Sequence, residues 1–278
     1  MIDPRRPAPW LGPLTVTAWI LMQNGNANAA PPWVDRHLTL PSGDWAFDVG
    51  LGIGHVPAYT CGPACSGSDD LGVGINAELA VGVTQRVEIG VRTGFAFGDA
   101  PERAIRADEY GRLFDRQTFD TGFDTVANPE VRVRGALARG EVAEVALEGR
   151  LVLPFANATG AGMLFGVPLS FHLGNRVRLD TGPYVPVTFP PHRDAVVDLS
   201  APIDLWIQAT PRFWLGPMSG VRFGQVGRDG GETDVSLGLG MGYQIGHALD
   251  FKTMFLFPRL NNESRDFGAG VGIEVRIE

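Results

Sequence analysis

A chain of 278 residues, 44% hydrophobic and 19% charged, with 37 glycines and two cysteines, is long enough for one large domain. Its charge is too low for a disordered chain and its cysteines too few for a disulfide scaffold, and no apolar run reaches the ~20 residues of a membrane-spanning helix. A formal net charge of −8, with Lys252 the single lysine, argues against nucleic acid as a partner.

Residues 1–29 read as a secretory signal peptide. Arg5 and Arg6 supply a positive start, Leu11–Met22 an apolar stretch, and Ala27-Asn28-Ala29 a small-x-small cleavage site. Residues 30–43 follow as an N-terminal periplasmic segment without strand periodicity, and residues 44–278 form the body.

The body alternates apolar and polar residues with period two, the signature of strands with two unlike faces. In chain order the predicted strands are Trp45–Gly54, Leu71–Val83, Val87–Phe95, Asn128–Leu137, Ala143–Leu153 and Gly162–Leu173. Then come Val177–Val187, Asp198–Gln208, Arg212–Gly224, Thr233–Ile245, Ala248–Phe257 and Phe267–Ile277. Each has about the length of a tilted membrane-spanning strand, and longer than strands of soluble sheets. Tight links near Gln85-Arg86, Gly140, Gly174-Asn175, Pro211 and Gly246-His247 alternate with long polar loops, the longest running from Gly98 to Ala127. That pattern predicts an all-β fold: a transmembrane antiparallel up-and-down β-barrel of about twelve strands, both termini periplasmic. A soluble β-sandwich shares the alternation but not the strand length or the short/long rhythm of the connections.

Solvation decides which face meets lipid, because an ionised side chain against hydrocarbon costs ~2–4 kcal/mol. In this register the mid-strand charges share one face. Glu88, Arg92, Arg132, Arg134, Glu144, Glu148, Arg150, Arg178 and Asp180 are the candidate pore-lining residues. Two arrangements fit them: a field across an open channel, or a salt-bridged filling of a narrow barrel. The series Gly50-x-Gly52-x-Gly54, Gly238-x-Gly240-x-Gly242 and Gly268-x-Gly270-x-Gly272 has the same parity. Being inside strands rather than before a helix, these glycines form a wall without side chains instead of a phosphate loop; they permit tight curvature or leave volume for an insertion.

The chain resembles Gram-negative outer-membrane β-barrels of the small porin or transporter kind over residues 44–278. From Asn128-Pro129-Glu130 to Gly149-Arg150-Leu151-Val152-Leu153-Pro154-Phe155 it is similar to barrels associated with aromatic-degradation operons. The resemblance implies an outer-membrane pore for passive diffusion of small solutes, with outer-membrane lipid and the barrel-insertion machinery as partners. A non-conducting structural or surface-binding barrel acting through its loops is the alternative. No cofactor or metal is expected. Asp115, Asp120 and Asp124 lack the spacing of an EF-hand, and the loop holding them reads as solvated. Cys61 and Cys65, in one exported loop, are expected to form a disulfide. Ser170 and His172 are the one pair suggestive of an outer-membrane lipase. They share the lumenal parity and lack a Gly-x-Ser-x-Gly elbow, so no enzyme is expected.

Overall fold

The computed structural model describes residues 31–56, 70–97, 125–154, 161–189, 194–224, 226, 231, 233–261 and 267–277. Its strand segments are β1 (Trp45–Val56), β2 (Asp70–Thr84), β3 (Val87–Phe97), β4 (Thr125–Arg139) and β5 (Ala143–Val152). They continue as β6 (Ala161–Gly166), β7 (Leu169–His172), β8 (Val177–Thr181), β9 (Tyr184–Phe189) and β10 (Val196–Val197). The last are β11 (Leu199–Thr210), β12 (Phe213–Phe223), β13 (Thr233–Ile245), β14 (Leu249–Phe257) and β15 (Phe267–Ile277).

Three strands of the wall are interrupted. Val167-Pro168 separates β6 from β7, Gly182-Pro183 separates β8 from β9, and Asp198 separates β10 from β11. Proline has no N–H to give to a ladder, so pairing skips at the first two sites. The ladder resumes around them: Ala146 N–H donates to Pro168 C=O at 2.9 Å and Val167 N–H to Pro183 C=O at 3.0 Å. Counting each interrupted pair as one strand gives a closed antiparallel barrel of twelve. It closes through β1, whose Gly50 faces Asn76 of β2 and Gly272 of β15. All twelve predicted strands fall on wall strands, the interruptions having gone unforeseen because alternation runs through them.

The inside and outside are inverted relative to a soluble protein. Along β5, Glu144, Ala146, Glu148, Arg150 and Val152 are buried, whereas Val145, Leu147, Gly149 and Leu151 face outward. The outer surface carries Leu51, Leu79, Val91, Val133, Leu147, Ile203, Leu239 and Ile273, all exposed. Such a continuous apolar band is stable only against hydrocarbon. Aromatic rings gather at its long-loop margin. Phe255 packs edge-on to Phe257 at 4.9 Å and against Phe267 at 5.8 Å, with Phe95, Phe189 and Phe223 exposed at the same level. A charge placed in the band tests this orientation. Leu147→Arg, at mid-strand and 49% exposed, is expected to lose about 2–4 kcal/mol of folding free energy in lipid, read as a lower urea midpoint of the heat-modifiable folded band. Leu147→Ile should leave the midpoint unchanged.

Candidate functional site: a lumen crossed by the N-terminal segment

The charged lumenal face runs across β2 to β5 as a ladder set by register: Glu78 opposes Arg92, Glu88 opposes Arg134, and Arg134 opposes Glu148. Arg132 lies 2.7 Å from both Glu78 Oε1 and Glu88 Oε1. Arg134 Nε donates to Glu148 Oε2 at 2.7 Å, and Arg150 Nε to Glu148 Oε1 at 2.8 Å, with Glu130 Oε2 at 3.5 Å from Arg150. Further round, Arg178 Nε donates to Asp180 Oδ1 at 2.8 Å. All nine charged residues singled out from the sequence are buried and share the lumenal face. Glu130 and Glu78 complete the network; Glu130 has the parity of Arg132 and Arg134, so alternation would have found it. Opposite charges at hydrogen-bond distance, shielded from bulk water, hold one another in place.

The larger finding is where the N-terminal segment lies. From sequence, residues 30–43 read as an N-terminal periplasmic segment. Its described part, residues 31–43, lies against the lumenal face at the short-turn end, where its polar backbone and the charged wall supply hydrogen-bond partners to one another. Val34 N–H donates to Gln208 Oε1 at 3.3 Å, and Leu38 N–H donates to Glu144 Oε2 and Leu40 N–H to Glu88 Oε2, each at 2.9 Å. The carbonyl of Arg36 accepts from Arg178 at 2.6 Å and that of Leu38 from Arg134 at 2.8 Å. The side chains of His37 and Thr39 meet Glu144 and Arg139. Past Leu40, the chain turns into β1 through Gly43 N–H to Gly82 C=O at 2.8 Å. These backbone anchors belong to β2, β3, β4, β5, β8 and β11.

Two side chains of the segment reach the opposite wall. Arg36 pairs with Asp250 of β14 and lies 3.9 Å from Glu274 of β15. Trp33 opens a short 3-10 turn (Trp33–Asp35) and stacks on Trp214 at 5.0 Å, with Trp206 edge-on at 6.3 Å. Lys252 and Arg36 both lie 5.3 Å from the Trp33 ring, a cation–π distance. Val34, Met218 and Leu256 close this apolar cluster. The glycine wall makes room for it: a Cβ on Gly242 would sit 2.1 Å from the Trp214 ring, and one on Gly240 2.6 Å from Trp206. Of the two uses foreseen for the glycines, tight curvature or volume for an insertion, Gly240 and Gly242 serve the second, their space being filled by tryptophan rings. Gly242→Ala is expected to lower stability by about 1–3 kcal/mol through overpacking and to change the intrinsic tryptophan emission of the folded protein.

Ser170 and His172 lie on the lumenal face, as their parity predicts. His172 Nδ1–H donates to the Val34 carbonyl at 2.8 Å, and Ser170 is buried opposite Asp180 and Glu144. His172 thus fastens the segment rather than activating the serine. Among the described residues, no three potential metal-ligating side chains gather. Cys61, Cys65, the acidic loop 98–124 and residues 1–29, expected to be a signal peptide, lie outside the described residues.

The fold is similar to those of solved outer-membrane barrels. A NanC porin superposes with a TM-score of 0.56 at 8% identity, covering 83% of this chain and 100% of its own. The COG4313 outer membrane channel from Pseudomonas putida F1 gives 0.56 at 11% identity, over 90% of this chain and 100% of that one. A KdgM porin gives 0.51 at 8% identity, over 84% and 99%. No protein-family model and no curated protein matches the sequence. At these identities the likeness is one of fold, and it agrees with the apolar girdle and the inverted interior: the chain is a twelve-stranded β-barrel of the bacterial outer membrane.

Proposed function

We propose that the protein is an outer-membrane channel for passive diffusion of small solutes, narrowed at its short-turn mouth by its own N-terminal segment. The observation that carries this reading is the asymmetry of the lumen. One wall holds the segment and the paired charges, while much of the other is glycine. Porins and a channel among the similar structures support the same class of function. By the usual orientation of such barrels the short turns face the periplasm, so the segment, released by cleavage after Ala29, enters from that side. Small solutes, outer-membrane lipid and the barrel-insertion machinery are then its partners.

Purified protein in planar bilayers tests the proposal. Small, reproducible unit conductance is the expected result; silence across a range of voltages and salts rejects it. A non-conducting structural barrel is the second reading, favoured by the number of buried charge pairs that pin the segment. A disulfide between Cys61 and Cys65 belongs to the same exported picture. Thiol labelling of denatured, unreduced protein should find no free cysteine, and two labelled thiols would reject it.

A further inference from the structure

Two kinds of glycine line the lumen. Gly90, Gly240 and Gly242 are buried beneath side chains, those of Arg132 and Glu78 for the first and the tryptophans for the others. Gly50 and Gly52 of β1, Gly74 of β2, and Gly270 and Gly272 of β15 have the same parity but remain partly accessible. Accessibility alone does not show an open lumen, since Gly238 is partly accessible although a Cβ there would meet Phe255 O at 2.4 Å. The neighbours of a built Cβ separate the two cases. At Gly270 it would meet Leu51 O at 3.5 Å and Met254 Cγ at 3.7 Å; at Gly272, Val49 O at 3.4 Å, Gly50 Cα at 3.7 Å and Asp48 Oδ1 at 4.0 Å. These atoms belong to β1 and β14, the strands flanking β15, and none comes from across the barrel.

This bare stripe centres on β15 and β1, across the barrel from β4, β5 and β8, which anchor the backbone of the N-terminal segment. Arg36 is the side chain that crosses to it, reaching Asp250 and Glu274 one register step below Gly272 and Lys252. Asp48 and Lys252 lie 3.2 Å apart at the base of the stripe. Of this pair the carboxylate is the more open, 30% exposed against 13% for the ammonium.

Resting on the channel reading above, we infer that solutes pass beside the segment along the glycine stripe of β15, β1 and β2, and that Asp48, more open than Arg276 (26%) or Lys252 (13%), is the charged group most exposed to them, so that the path favours small cations. The paired charges of β3 to β5 stand aside from this path and act as its rigid far wall.

Cysteine substitution tests the route, in a background where Cys61 and Cys65 are serine. Gly270→Cys and Gly272→Cys are chosen because a Cβ at either position meets neighbours only at ordinary contact distance. Ala146→Cys, on the lumenal face of β5 and 0% exposed, is the comparison. The probe is a quaternary-ammonium methanethiosulfonate applied to the folded protein. Expected are a complete mass shift at both stripe positions with near-total loss of conductance, and neither at Ala146→Cys. Asp48→Asn should move the reversal potential in a salt gradient toward that of a non-selective pore. Unlabelled stripe cysteines, or labelling that leaves conductance intact, overturn the route. If the unmodified protein is silent in bilayers, the channel reading fails alone, since the mass shift still reports whether the stripe is open to water.

Discussion

Excising Trp33–Thr39 while keeping the turn into β1 is expected to raise unit conductance severalfold and to make the pore strongly cation-selective. The size of the first effect follows from geometry. A twelve-stranded barrel lies between barrels filled by their own side chains and wide aqueous porins, so a chain segment with a tryptophan and an arginine occupies much of its cross-section. The sign of the second follows from what remains. Glu144 and Asp250 lose the donors supplied by Leu38 and Arg36, and their carboxylates then face water. Uncompensated carboxylates around a pore attract cations. Planar-bilayer recording in a salt gradient reads both quantities from one preparation. An unchanged conductance would show that the segment is not the constriction, and an anion preference would show that the exposed carboxylates do not govern the mouth.

Arg134→Met is expected to cost about 3–5 kcal/mol, because the buried Glu148 loses one of the two guanidiniums that neutralise it. Both side chains are 0% exposed, so water cannot take over the lost contact. The pair Arg134→Met with Glu148→Met should recover most of the loss, since matched apolar replacement removes the charge as well as its partner. Recovery will be incomplete, for two reasons. Arg134 also donates to the Leu38 carbonyl, and Glu148 also accepts from Arg150. Urea titration of the folded band in lipid measures all three variants, and equal midpoints for the single and double variants would refute the pairing argument.

The wall of the barrel was readable because its period-two pattern is imposed twice, by lipid outside and by the polar lumen inside. Leu147 and Glu148 illustrate the two constraints side by side. The interruptions at Val167-Pro168 and Gly182-Pro183 leave that parity intact, so alternation alone passes over them, although the prolines themselves were a visible cue. Parity also placed every candidate charge on the lumenal face without saying how charges pair: Arg132 opposes Arg150 in register and yet binds Glu78 and Glu88. The N-terminal segment was not legible, because Trp33–Leu40 has no repeat and its partners are scattered from Glu88 to Glu274. One clue existed. Trp206 and Trp214 share the inward parity of Gly240 and Gly242, so the sequence did hold large rings facing bare backbone, and only the third ring, Trp33, lay outside any pattern.

The segment's anchoring also bears on how the barrel is made. Arg36 meets Asp250 across 214 residues of sequence, and Val34 meets Gln208 across 174. Contacts of such separation form late when left to chain diffusion. Here, however, the strand that follows the segment is also the strand that seals the cylinder, since β1 pairs with β15. Closing the cylinder therefore brings β14 and β15, with Asp250 and Glu274, beside the strand that the segment leads into. An inner face rich in carboxylates and guanidiniums resists being rolled up dry. A strap of backbone donors and acceptors laid along it supplies polar partners to that face, so that closure of the cylinder and narrowing of its mouth draw on the same contacts.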